Sequence, residues 1–167
     1  MTARKLMLLG EIGVGKSSIV KRLVFDRFDT DYKPTLGVDV YRYEVPAADG
    51  RDPLTFIIWD TDGNFGDAMF RHVYMKEASA AFIIGDVTRR ATLDTMLSLS
   101  NGFHEHFPGR YLGLIVNKMD LVEGERVPLP GVLAEGHPDT FHTSALNGEN
   151  VSLAFHAAAA AILRRGI

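Results

Sequence analysis

Gly10-Glu11-Ile12-Gly13-Val14-Gly15-Lys16-Ser17 follows the apolar tetrad Leu6-Met7-Leu8-Leu9 and opens a stretch of helical period from Lys16 to Asp26. The octet fits G-x-x-x-x-G-K-[ST], a spacing with a mechanism when it lies between a strand and a helix, as it is predicted to do here. Glycines accept the backbone angles that turn successive N–H groups inward as an anion nest, and the helix start adds the positive end of its dipole. Lys16 then reaches the outer phosphates of a nucleoside triphosphate, with Ser18 next to Ser17 at the helix start. The Ser17 hydroxyl is a hard oxygen ligand suited to the Mg²⁺ that accompanies such a molecule. The octet therefore predicts an α/β fold of the P-loop NTPase kind, and leaves the base open.

Outward from this loop, short apolar runs alternate with helical stretches, the pattern of a mostly parallel sheet with helices on both faces. Leu6 to Leu9, Leu54 to Trp59, Ala80 to Ile84 and Tyr111 to Val116 read as strands. Val38 to Val45 alternates less cleanly and turns at Asp49-Gly50, so it reads as an edge hairpin. Ala91 to His106 and Val151 to Arg165 read as helices, the latter with an alanine run, Ala157 to Ala161, that suits a close-packed face. Between Val127 and His137, Pro128, Pro130, Gly131 and Gly136 leave room for a short helix only. No repeat or linker divides the chain, so residues 1–167 are expected to form a single domain.

Composition excludes several classes of function. The chain has no cysteine, which removes disulfides, thiolate metal sites and a cysteine nucleophile. A net charge of -3 gives no field that would draw it onto nucleic acid or anionic lipid. The apolar run before Gly10 is too short for a signal peptide or a membrane span, and neither a Met-Gly start nor a C-terminal cysteine offers a lipidation site. A cytoplasmic monomer with no membrane anchor of its own is expected. His104-Glu105-His106 has i, i+2 spacing, which points its rings to different sides of a helix, and His72, His137, His142 and His156 form no ligand pattern. Ser144 lacks the partners of a nucleophile.

The base is chosen by Asn117-Lys118-Met119-Asp120, placed directly after the apolar strand Tyr111 to Val116. Guanine presents two N–H donors on one edge, and a carboxylate, being acceptor-only, can take both, whereas adenine offers an acceptor there and repels it. Asp120 is thus the selecting residue, and Lys118 can lay its methylene stem on the purine face. A third motif, Asp60-Thr61-Asp62-Gly63, closes the apolar strand Phe56-Ile57-Ile58-Trp59.

Taken in order, GEIGVGKS, Tyr32-Lys33-Pro34-Thr35-Leu36-Gly37-Val38-Asp39, DTDG, NKMD and Thr143-Ser144-Ala145 make the chain resemble the Ras superfamily of small GTPases over nearly its whole length. Leu36-Gly37-Val38-Asp39 and Gly85-Asp86-Val87-Thr88 resemble its Rab branch more than Ras. The resemblance implies a six-stranded sheet, five helices, and bound GTP or GDP with Mg²⁺. It assigns Ser17 and Thr35 as direct metal ligands and Asp60 as a ligand through water. Thr35 and Gly63 would sense the γ-phosphate through backbone N–H groups. Lys16, Thr35 and the residue at position 64 would serve hydrolysis, Phe28 would stack edge-on against guanine unless it is a core plug beneath the first switch, and Tyr32 would border the phosphates. Ala145 would give its N–H to the guanine carbonyl, within a Ser-Ala-Lys turn in which Leu146 here replaces the lysine. Effector, exchange and activating proteins would bind the two switch regions, about Asp29 to Asp39 and Asp60 to Met75. The missing lipid site suits either a prokaryotic relative or a domain of a longer chain.

Departures from the family pattern gather where hydrolysis happens. Ile12 stands in place of glycine or a small residue, Asp62 in place of a small apolar one, Asn64 in place of the water-orienting glutamine and Phe65 in place of an acidic neighbour. A β-branched side chain at position 12 crowds the γ-phosphate and any inserted arginine. The expected function is a GTP/GDP switch whose hydrolysis is slow or partner-dependent. The alternatives are a nucleotide-locked interaction module that does not turn over, and a P-loop kinase, against which NKMD and the lack of an arginine-rich lid both argue.

Overall fold

In the computed structural model, strand β1 (Thr2–Leu9) lies inside the sheet, and its last four side chains are wholly buried on alternating faces. Leu6 and Leu8 join one apolar layer, Met7 and Leu9 the other, as the period-two geometry of a strand covered on both sides requires. The structure describes residues 2–47, 50, 52–61, 63, 76–124, 127–135 and 139–167.

Strands β2 (Val38–Val45), β3 (Leu54–Thr61), β4 (Ala80–Asp86), β5 (Tyr111–Asn117) and β6 (Thr140–His142) complete a six-stranded sheet in the order β2-β3-β1-β4-β5-β6. Edge strand β2 is antiparallel to β3, pairing Val38 with Thr61 and Val45 with Leu54, while every other pairing is parallel. Helices α1 (Lys16–Phe25) and α4 (Val151–Arg165) cover one face. Helix α2 (Arg90–His106) covers the other with Leu93, Met96, Leu99 and Phe103, joined by Leu133 of the short α3 (Gly131–Glu135). Among the described residues these are four α-helices, with a 3-10 turn at Met119–Val122; any helix within residues 64–75 falls outside them.

The alanine-rich face of α4 is close-packed as expected: Ala154, Ala158, Ala159 and Ala161 are buried around Phe155. The Phe155 ring lies 5.0 Å from that of Phe82 and 6.3 Å from that of Phe56, so α4 reaches from β4 to β3 across the intervening β1. Two differences from the sequence reading concern strands. β1 begins at Thr2, because polar residues before Leu6 gain pairing to β3, and β6 is a three-residue strand whose half-buried pattern carries no alternation long enough to read. The motif residues Asp60, Asp86 and Asn117 are still within their strands, so sheet hydrogen bonds set their direction.

Candidate nucleotide-binding site

Four loops leave the carboxyl ends of β1, β3, β5 and β6 side by side, where ligands of open α/β sheets collect, and with the stretch between α1 and β2 they border a cleft of about 970 Å³. The glycine-rich loop and the start of α1 line one side of it with Ile12, Gly13, Gly15, Lys16, Ser17 and Ser18. Gly10 and Gly15 have φ of 148° and 105°, angles closed to ordinary side chains. A side chain at Gly10 would strike the Ile84 carbonyl, and one at Gly15 would strike the Asn117 carboxamide. Lys16 is buried, its ammonium donating to the Gly10 and Glu11 carbonyls at 2.8 Å each. Val14 plugs the core beneath the loop. Glu11 turns its carboxylate away toward α2, where the Thr95 hydroxyl donates to it at 2.5 Å and Arg89 lies 3.6 Å off.

A second group converges on Ser17. Its hydroxyl donates to the Asp60 carboxylate, so the Thr35 hydroxyl, 2.7 Å away, must be the donor in the second bond. Asp60 is fully buried, and its other oxygen has no hydrogen-bond partner among the described residues. Burial pushes its carboxyl up to about 6, against the pull of the Ser17 hydrogen bond and the Lys16 charge. Two hydroxyls and an orphaned carboxylate oxygen are a hard donor set that fits Mg²⁺. Gly63 packs its backbone against the Glu11–Ile12 peptide with no space for a side chain. Asp62, Asn64 and Phe65 fall outside the described residues, as does most of the second switch.

On the base side, Asn117 holds the phosphate loop: its carboxamide donates to the Val14 carbonyl at 3.0 Å and accepts from the Thr143 hydroxyl at 2.9 Å. Lys118 reaches the Gly13 carbonyl at 2.8 Å and the Asp86 carboxylate at 2.7 Å. Burial alone would raise the Asp86 carboxyl, but hydrogen bonds from Lys118 and Thr88 outweigh it and hold the group below the ordinary carboxylate range. Asp120 borders the cleft and accepts from the Ser144 hydroxyl at 2.6 Å, with Ala145 and Leu146 beside it. Phe28 borders the cleft and packs against the core layer that α1 covers. Tyr32 sits on the exposed rim.

The sequence reading gave no role to Asp86, Arg89, Arg22 or to the Thr143 side chain. A charged residue closing the wholly apolar β4 was the available signal for Asp86, because a buried carboxylate requires a cation. Nothing local marks Arg22, whose partners Ala145 and Leu146 are more than a hundred positions away.

The contact between Gly15 and Asn117 yields a prediction. Gly15→Ala should lower stability by about 1–3 kcal/mol through backbone strain alone, roughly 2–12 °C in Tm, and should abolish tight nucleotide binding; thermal unfolding and nucleotide titration check it. An unchanged Tm would mean that the loop tolerates a side chain there.

The Ras family profile matches residues 5–164. The chain is 37% identical to Ras-related protein Rab-31 of Rattus norvegicus over 126 residues, which is 75% of this chain and 64% of that protein. It is 33% identical to Ras-related protein Rab-22A of Canis lupus familiaris over 157 residues, 90% of this chain and 79% of that one. To GTP-binding protein ypt5 of Schizosaccharomyces pombe it is 33% identical over 161 residues, 93% and 76%. The matched chain thus spans less than two thirds of Rab-31 and about three quarters of the other two. No helix among the described residues is long and apolar enough to cross a membrane. With the phosphate loop, the hydroxyl–carboxylate cluster and the Asp120 turn arranged around one cleft, and these relatives sharing its sequence, the chain belongs to the Ras family, on its Rab-like branch.

Proposed function

We propose that this chain is a guanine-nucleotide switch that binds GTP and GDP with Mg²⁺ and hydrolyses GTP slowly or only with a partner. The observation that carries the reading is the meeting of Thr35, Ser17 and Asp60, three oxygen donors from three separate segments within hydrogen-bond reach of one another. Thr35 belongs to the exposed stretch between α1 and β2, so a ligand that holds it also orders that stretch, which is how such loops report a γ-phosphate. Ser17, Thr35 and Asp60 would hold the metal, which when bound neutralises phosphate charge. Lys16 binds the outer phosphates, giving up its carbonyl partners to do so, and Asp120 selects the base. Exposed Tyr32 and Leu36 on the first switch, with Val40 beside them on β2, supply apolar surface for effector, exchange and activating proteins.

A second reading, a nucleotide-locked module that does not turn over, is favoured by one observation: the branched Ile12 side chain stands half-exposed on the cleft while Gly63 is pressed against its peptide. The first experiment is to extract and identify the nucleotide that co-purifies with the protein, then follow its release. A guanine nucleotide is expected, released faster in excess chelator and faster from Ser17→Ala. An adenine nucleotide, or release indifferent to chelator, would refute the base or the metal assignment respectively.

A further inference from the structure

Arg22, in the last turn of α1, has its guanidinium taken up by two distant backbone carbonyls and by Asp26. Nε donates to the Ala145 carbonyl at 2.9 Å and Nη2 to the Leu146 carbonyl at 2.5 Å, while Nη1 bonds the Asp26 carbonyl at 3.2 Å and its carboxylate at 3.0 Å. The side chain is only 18% exposed, and its stem lies along Gly148, beyond the same turn. The donors of a guanidinium form a rigid planar fork, so two consecutive carbonyls bound by it are fixed in direction as well as in distance.

Peptide planarity converts this into a statement about N–H groups. In a trans peptide the N–H points opposite to the C=O of the preceding residue. A pinned Ala145 carbonyl therefore turns the Leu146 N–H away from α1, in a turn whose Ala145 and Leu146 border the cleft. A pinned Leu146 carbonyl likewise sets the Asn147 N–H, which donates to Ser144 Oγ at 3.3 Å, the hydroxyl that bonds Asp120. The turn carries no cationic side chain of its own, Leu146 being apolar. Its direction is set instead from behind, by α1.

We propose that Arg22 is a positioning residue for base recognition: by pinning the Ala145 carbonyl it presents the Leu146 N–H to the carbonyl oxygen of the purine, while the neighbouring Ala145 and Asn147 N–H groups are held by Asn117 Oδ1 and Ser144 Oγ. The inference rests on the guanine reading above and adds the means by which the C6 oxygen is read. A residue that merely staples α1 to a loop would support every nucleotide alike, whereas a positioning role is confined to ligands that carry that oxygen.

The probes are GDP and the diphosphate of 2-aminopurine riboside, which keeps the exocyclic amine and lacks the C6 oxygen and, with it, the N1 proton, so each variant is compared with wild type on the same ligand. Dissociation constants for both are measured, with Mg²⁺, on wild type, Arg22→Ala, Arg22→Lys and Asp120→Ala. Arg22→Ala should weaken GDP by about three- to tenfold, the worth of one hydrogen bond, and leave the analogue nearly unchanged. Arg22→Lys, with a donor but no fork, should fall between, and serves as the measured variant if the alanine protein does not fold. Equal weakening of both ligands, or of neither, overturns the positioning role. If Asp120→Ala keeps full GDP affinity, the guanine reading itself fails, and that result is separate from any behaviour of the Arg22 variants.

Discussion

Asp120→Ala should cost this protein about 3–6 kcal/mol of guanine-nucleotide affinity, roughly two to four powers of ten, because two charge-assisted hydrogen bonds to the base are lost at about 1.5–3 kcal/mol each. The carboxylate is well placed for the task. One oxygen accepts from Ser144 at 2.6 Å, which fixes the side chain before any base arrives and lowers the ordering cost of binding. Selectivity should fall together with affinity, since adenine is excluded by its acceptor facing that carboxylate. The measurement is a competition of ATP against GTP on wild type and variant. Equal affinity of the wild type for the two would refute the assignment. Thermal unfolding of the variant, run alongside, should show little change, because Asp120 stands at the cleft rim and not in the core.

Intrinsic GTP hydrolysis should be slower than the rate of Ras, about 3–5 × 10⁻⁴ s⁻¹, and the double variant Ile12→Gly/Asn64→Gln should be the fastest of the set. Asparagine is one methylene shorter than glutamine, which withdraws its carboxamide by roughly 1.5 Å, and a misplacement near 1 Å can cost about a hundredfold in rate. Ile12 adds a branched side chain to the cleft wall, 43% exposed. An inserted arginine, worth about 10³–10⁵ where it acts, would meet that side chain, so a conventional activating protein should help little. Single-turnover measurements on wild type, the two single variants and the double variant, each saturated with GTP and Mg²⁺, decide the matter. If wild type matches or exceeds the double variant, the departures are not impairments, and Asp62 becomes the candidate for orienting water.

What the sequence made legible follows from how local each signal is. The phosphate loop and the Asp120 turn are contiguous motifs tied to strand ends, and the apolar runs of Ile83-Ile84 or Leu114-Ile115-Val116 announce a sheet buried on both faces. Thr35 was assigned from the family pattern alone, and its hydroxyl does lie beside Ser17. Arg22 and Arg89 leave no trace in the sequence for a physical reason: each acts through a backbone carbonyl or a charged partner brought near by the fold, and a carbonyl has no sequence signature, whereas Asp86 shows only as a charge closing an apolar strand. Phe28 reads from sequence as base contact or core plug, and its position leaves both open, since it borders the cleft and packs against the core. Strand β6 was too short to show a period.

The closeness of Gly15 to Asn117 extends to the way affinity is composed. Asn117 and Lys118 hold the Val14 and Gly13 carbonyls, so the segment proposed to grip phosphate and the one proposed to read the base are hydrogen-bonded directly to each other, though a hundred residues separate them in the chain. Substitutions in the two motifs should then fail to add in a double-mutant cycle, since each first change already loosens what the second would remove. Selection acting on such a pair cannot trade triphosphate grip against base discrimination one step at a time. The two would be gained or lost together, and a lineage drifting away from turnover could still keep an intact nucleotide seat.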